Sequence, residues 1–179
     1  NGQHRFDREI ALADQLSRLA KQLAPMAERC QSMGLPLAIE NHGDYYLSDL
    51  VELCGLVPGL GIQFDTGNCF LIGERPELVS DEALRLVRST HWKDHYVSPN
   101  QKALSFDLSG ATLGEGQVGL ESLYRRLLQV HEDPASIVMS IEWVPDRGKP
   151  ALQCFEDSKK HLSKLSNGIF PFSNETIVS

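Results

Sequence analysis

At 179 residues the chain is long enough for one domain with a real core and too short for two comfortable ones. Its 41% apolar and 23% charged content are those of an ordinary globular protein, and its net charge of −7 argues against a broad phosphate-binding surface, so no nucleic-acid partner is expected. No apolar run approaches the ~18 residues of a membrane span and no leader pattern opens the chain, so no membrane partner is expected.

Four scattered cysteines (Cys30, Cys54, Cys69 and Cys154) form no C-x-x-C pair. They suit a reducing compartment with free thiols, and a cytoplasmic location is expected. The first residues lack an initiating Met and run almost directly into a helical pattern, as in a chain entered partway through.

From Phe6 to Met33 apolar residues recur at three- and four-residue steps (Ile10, Ala13, Leu16, Leu19, Ala20, Leu23, Ala27, Cys30), the mark of an amphipathic helix with one buried stripe. Pro25 is expected to kink it and Gly34 to stop it. "LPLAIEN" then reads as a short strand buried on both faces, ending in a carboxylate. "LSDLVELCGLV" reads as a helix capped by Ser48. "GLGIQFDTGN" is a second strand with a polar end, and "SDEALRLVRS" a helix capped by Ser80. "STHWKDH" is a third strand, and residues 96–118 read as a long loop. "GLESLYRRLLQVHE" is helical, "SIVMSIEW" is a fourth strand ending at Glu142, and "ALQCFEDSKKHLSKL" is the last helix. Strands alternating with helices imply βαβ units on a parallel sheet.

Each strand carries a chemistry-bearing residue at its C-terminal end: Glu40, Asp65, His91 and Glu142. In a parallel barrel such ends converge on one mouth. Three carboxylates and an imidazole there would repel strongly, and a divalent cation removes the repulsion by using every group as a ligand. An oxygen-rich set with one His favours Mn²⁺, with Mg²⁺, Co²⁺ or Zn²⁺ compatible. Singly, Glu40 or Asp65 could instead cap the helix that follows, and His91 could be a loop histidine. His91-x-x-x-His95 also has the spacing of a helical zinc pair, but Trp92 stands where the zinc peptidases carry Glu. In an extended chain Lys93 shares the face of His91 and points with it toward the pocket.

At these residues the chain resembles the xylose isomerase-like superfamily of sugar-phosphate isomerases and epimerases. "LAIENHGD", "FDTGN", "HWKDH", "LGEG" and "SIEW" are similar to its successive strand-end motifs, in order, over roughly Ala11 to Leu165. The resemblance implies an α/β fold of the (β/α)₈ TIM-barrel type, with only about the last four βα units (strands five to eight) in this chain. A full barrel takes ~250 residues. The chain is thus read as a single domain over 1–179, the C-terminal half of a barrel with an irregular tail at 167–179. Homo-oligomerisation or association with the missing half is expected.

The resemblance carries over Glu40, Asp65, His91 and Glu142 as ligands of one divalent metal ion, with Glu40 and Glu142 also the catalytic pair. Lys93, His42, Asn68 and Glu115 are the substrate-binding candidates. Two positions depart from the family pattern. Epimerases of free ketohexoses often have His where Asn68 stands, and an Arg where this chain has "YVSPNQ". The implied activity is isomerisation or epimerisation of a small carbohydrate, a sugar, sugar phosphate or polyol-derived keto compound, by enediolate proton transfer. The competing readings are a lyase or dehydratase of the same superfamily, an apurinic-endonuclease-like nuclease, and a non-catalytic half-barrel.

Overall fold

The computed structural model describes residues 4–166 except Gln101, Ala103, Trp143, Pro145 and Arg147, so the expected tail at 167–179 lies outside the described residues. Four strands, β1 (Leu37–Glu40), β2 (Leu60–Asp65), β3 (Val87–Trp92) and β6 (Val138–Ile141), form a wholly parallel sheet in the order β1-β2-β3-β6. This is the alternation that the sequence pattern predicts.

Helices α1 (Leu12–Ser32), α2 (Leu47–Leu56), α4 (Asp81–Arg85), α5 (Leu120–Val130) and α6 (Ala151–Leu165) cover the sheet, α1 packing on α2, α2 on α4, α4 on α5 and α6 on β6. A six-residue helix, α3 (Thr66–Leu71), begins where β2 ends. The core lies between sheet and helices: Ile62, Phe64 and Trp92 from the strands meet Leu16, Leu50, Leu53, Leu84, Leu123, Tyr124 and Leu127. Full burial of such side chains stabilises by about 1.5–3 kcal/mol each, which is what holds the helices on the sheet.

Four details differ from expectation. α1 starts at Leu12 because the preceding segment is bound elsewhere. The Arg5 N–H donates to the Asp44 carbonyl (2.8 Å), and its guanidinium pairs with Asp49 and lies 3.7 Å over the Tyr46 ring. The helix runs through Pro25 unbroken and stops as expected, with Gly34 at φ 67° and the Leu35 N–H on the Cys30 carbonyl (2.9 Å). Ser48 lies inside the first turn of α2; the free amides at its start go to Asp49, which accepts from the Tyr46 N–H (2.9 Å), and to Glu74, which accepts from the Leu47 N–H (3.0 Å). Ser80 does cap α4, accepting from the Ala83 N–H (3.2 Å).

β1 is only half-buried throughout, because it is an edge strand, whereas central β2 is buried on both faces. The expected loop contains an antiparallel hairpin, β4 (Asp94–Asn100) and β5 (Ser105–Ala111). Pro99 argues against a strand, but a two-stranded ribbon has open edges on which the missing N–H costs nothing.

Candidate metal centre

The four strand ends do converge. One ligand-type atom from each of Glu40, Asp65, His91 and Glu142 lies within 4.8 Å of the others. His91 Nδ1 is the hub, 2.8 Å from Glu142 Oε2, 3.2 Å from Glu40 Oε1 and 3.7 Å from Asp65 Oδ2. The parallel register produces this: Asp65 pairs directly with His91, and the Glu142 N–H continues the ladder onto the Trp92 carbonyl (3.1 Å).

Asp65 works at both oxygens. Oδ1 accepts from the Gly67 and Asn68 N–H groups (both 2.9 Å), capping α3, while Oδ2 faces the cluster. The cap uses one edge of the carboxylate and leaves the other facing the cluster, so the two alternatives read from the sequence are compatible. Burial raises its pKa, and the Lys93 ammonium and the Asn68 amide pull it back down.

Lys93 places its ammonium 2.9 Å from Asp65 Oδ2 and 3.0 Å from Glu142 Oε1. Burial lowers the lysine pKa, but the two carboxylates outweigh burial and leave it above its ordinary value. Asn68 is buried in the first turn of α3, its Oδ1 3.5 Å from Lys93 Nζ.

The other candidates lie apart. His42 is exposed in the loop after β1, and Glu115 is ion-paired to Lys149 outside the four-residue group. His95 is buried against Phe70, ring centroids 6.4 Å apart and nearly parallel, and does not join the cluster. Burial lowers its pKa.

Four residues not singled out from the sequence organise the site. Asn41 and Thr66 tie neighbouring strand ends together through side-chain bonds to backbone. Gln63 lies under the His91 ring, its Nε2 3.2 Å from His91 Nε2, and accepts from Ser89 Oγ (3.0 Å). Asp94 accepts from the Gly114, Gly116, Val118 and His95 amides and so fixes the loop at 112–119. Asn41 and Thr66 each stand directly beside a residue that the strand-end pattern does select, and Asp94 beside Lys93; only their register reveals a role.

Three carboxylates and one imidazole form a donor set that fits a hard divalent ion: it is oxygen-rich, negatively charged and compact.

A parallel βα sheet with an acidic, histidine-containing cluster at its C-terminal edge is the arrangement of a barrel enzyme's active-site mouth. Residues 2–165 match the family described as Xylose isomerase-like TIM barrel, and the chain belongs to that family. No curated protein matches it. Solved structures similar to it include a Xylose isomerase domain protein from Planctomyces limnophilus (22% identity, TM-score 0.64, covering 87% of this chain and 53% of that one). A Xylose isomerase-like TIM barrel protein from Mycobacterium smegmatis, in complex with magnesium, is 17% identical with TM-score 0.66 (87% and 52% covered). D-psicose 3-epimerase, in the presence of D-fructose, is 13% identical with TM-score 0.58 (89% and 58%). The probable 3-DHS dehydratase AsbF from Bacillus anthracis is 18% identical with TM-score 0.51 (83% and 55%). The chain thus spans a little over half the length of these relatives, and it is a partial barrel.

Proposed function

We propose that the chain carries the catalytic half of a divalent-metal-dependent carbohydrate isomerase or epimerase, moving a proton through an enediolate between Glu40 and Glu142. The observation that carries this reading is the unequal exposure of the three carboxylates: 29% for the Glu40 side chain, 44% for Glu142 and 0% for Asp65. Asp65 is committed to amides on one edge and Lys93 on the other, so it is suited to holding an ion and not to exchanging protons. Glu40 and Glu142 come from the two edge strands and flank His91, so they can address opposite sides of a substrate carbon.

A divalent ion, Mn²⁺ favoured and Mg²⁺, Co²⁺ or Zn²⁺ compatible, would be held by Glu40, Asp65, His91 and Glu142 and would acidify the C–H beside a carbonyl–hydroxyl pair. Lys93 is suited to stabilise the oxyanion that proton removal creates, with Asn68 orienting it. His42 and Glu115 remain substrate-contact candidates, Glu115 only after releasing Lys149. A keto-sugar or polyol-derived ketone supplies the required group.

A dehydratase is the second reading, supported by the likeness to AsbF: the same enediolate can expel a β-hydroxyl. Asn68 in place of a further His and the net charge of −7 disfavour a nuclease. Edge strands β1 and β6 favour assembly with a complementary half-barrel or a second copy, and four free thiols favour a cytoplasmic setting.

The test is exchange of the substrate C–H with D₂O, with product analysis on keto-sugars, in the intact assembly carrying Glu142→Gln or Glu40→Gln. Each change should lower exchange by roughly 10²–10⁴-fold, the usual contribution of a positioned acid or base. Near-normal exchange in Glu142→Gln removes it from the proton-transfer role, and a dehydrated product selects the second reading.

A further inference from the structure

We propose that Asn41 and Thr66 are positioning residues of the metal centre, setting the spacing of the ligand-bearing strand ends before any ion binds. The inference rests on the reading that Glu40, Asp65, His91 and Glu142 hold a metal. Asn41 follows Glu40 and Thr66 follows Asp65, and both side chains are buried, at 1% and 0% exposure.

Asn41 accepts from the Asp65 N–H through Oδ1 (2.7 Å) and donates from Nδ2 to the Asp65 carbonyl (2.8 Å). Thr66 Oγ1 accepts from the Lys93 N–H (2.9 Å) and donates to the Lys93 carbonyl (2.7 Å). Each side chain therefore satisfies both backbone groups of one residue on the neighbouring strand end, as a peptide group would. The backbone partners also fix which way the Asn41 amide faces.

The register makes this one device used twice. Glu40 pairs with Gln63, so Asn41 lies level with Phe64 and its side chain reaches one residue further, to Asp65. Asp65 pairs with His91, so Thr66 lies level with Trp92 and its side chain also reaches one residue further, to Lys93. At both junctions the strand ladder has run out and a helix or turn is about to begin. A side chain continues the ladder where the backbone no longer can. What is held is the backbone of a cluster residue, Asp65, in the first case, and that of Lys93, two residues past His91, in the second. At the third junction the backbone alone suffices, the Glu142 N–H donating to the Trp92 carbonyl.

Beyond these bonds, Asn41 Nδ2 also reaches the Cys69 sulfur (3.1 Å) and Thr66 Oγ1 the His91 carbonyl (3.4 Å), both weaker contacts. An apolar side chain of the same size would suit a buried site, at the cost of leaving two backbone groups unpaired. The clamp thus converts a register into a fixed distance between ligands: Glu40 is tethered to Asp65, and Asp65 to the His91–Lys93 segment. Groups that orient metal ligands typically change metal affinity 10–100-fold when removed.

The test is Mn²⁺ binding to the intact protein, read from the loss of the free-ion electron paramagnetic resonance signal, with folding checked by circular dichroism. Thr66→Val keeps shape and removes both bonds, Thr66→Ser keeps the hydroxyl, and Asn41→Leu removes the amide. His131→Leu is the control, since it deletes a buried bond from His131 Nε2 to the Val87 carbonyl (2.9 Å) at the far end of β3. The expected result is a Kd for Mn²⁺ raised 10–100-fold in Thr66→Val and Asn41→Leu, and nearly unchanged in Thr66→Ser and His131→Leu. Should Asn41→Leu not fold, the Thr66 pair decides alone. Wild-type affinity in Thr66→Val, or an equal loss in His131→Leu, overturns the inference and leaves the metal reading standing. No Mn²⁺ binding by the wild type overturns the metal reading and this inference with it.

Discussion

The Lys93 ammonium lies 2.9 Å from Oδ2 of Asp65, a carboxylate with no exposed surface. Removing one partner of such a pair leaves the other charge buried, which costs about 3–5 kcal/mol. Lys93→Met should therefore destabilise the metal-free protein by about 3 kcal/mol at neutral pH. Burial already holds the Asp65 pKa above its ordinary value, and losing Lys93 raises it further. A carboxyl whose folded pKa is raised contributes stability below its unfolded pKa and loses it as pH rises through the folded value. The deficit of Lys93→Met should accordingly shrink at acidic pH and grow toward neutrality in urea denaturation; a deficit constant with pH would show that the pair is not its source.

Strand order and the four-residue cluster were legible because both depend on short-range pattern. Apolar runs end in a polar residue once per βα repeat, and parallel pairing brings such ends together. The hairpin at Asp94–Ala111 was not, since Pro99 and exposed Phe106 and Leu108 obscure its alternation. Nor were Asn41 and Thr66, whose partners lie one register step away on another strand. Ser48 was misread because the caps of α2 come from Asp49 and, across 27 residues of sequence, from Glu74.

Two glycines should respond oppositely to alanine. A Cβ on Gly67 would lie 2.6 Å from both Lys93 Cβ and His95 Nε2, whereas one on Gly55, inside α2, meets nothing within 4 Å. Gly55→Ala should stabilise by roughly 0.5–1 kcal/mol through helix propensity. Gly67→Ala should cost about 1–3 kcal/mol by overpacking and displace the start of α3 from Lys93. Thermal unfolding of the pair checks this, and a stabilised Gly67→Ala would contradict the packing described.

The thiols should react unequally. Cys54, Cys69 and Cys154 are buried and Cys30 is half-buried on α1. Burial pushes the Cys54 thiol up to about 11 and raises Cys69 as well, so little of either is thiolate at neutral pH. A colorimetric disulfide reagent should label Cys30 first in the native protein and reach the other three only on unfolding. Rapid labelling of Cys69 would mean that the junction between Asn41 and α3 opens readily, since the Cys69 sulfur lies 3.1 Å from Asn41 Nδ2.

Acid should destabilise the fold partly through His95. Its ring is packed on Phe70, and burial is the main cause of its lowered pKa, with the nearby Lys93 charge adding to it. The unfolded chain therefore binds a proton that the folded chain resists. The stabilisation is fully present above the ordinary histidine pKa of about 6.5 and is lost as pH falls through the folded value. His161, whose pKa burial also lowers, acts in the same direction, while the raised carboxyls of Asp65 and Glu74 act in the opposite one. The diagnostic quantity is thus the difference between wild type and His95→Gln, in which these other contributions cancel. Between pH 7.5 and 5.5 the wild type should lose more Tm than His95→Gln does, the remaining slope of the variant being the net of His161 and the opposing carboxyls. Parallel curves would mean that His95 takes up its proton without leaving the Phe70 ring, and that acid sensitivity arises elsewhere in the fold.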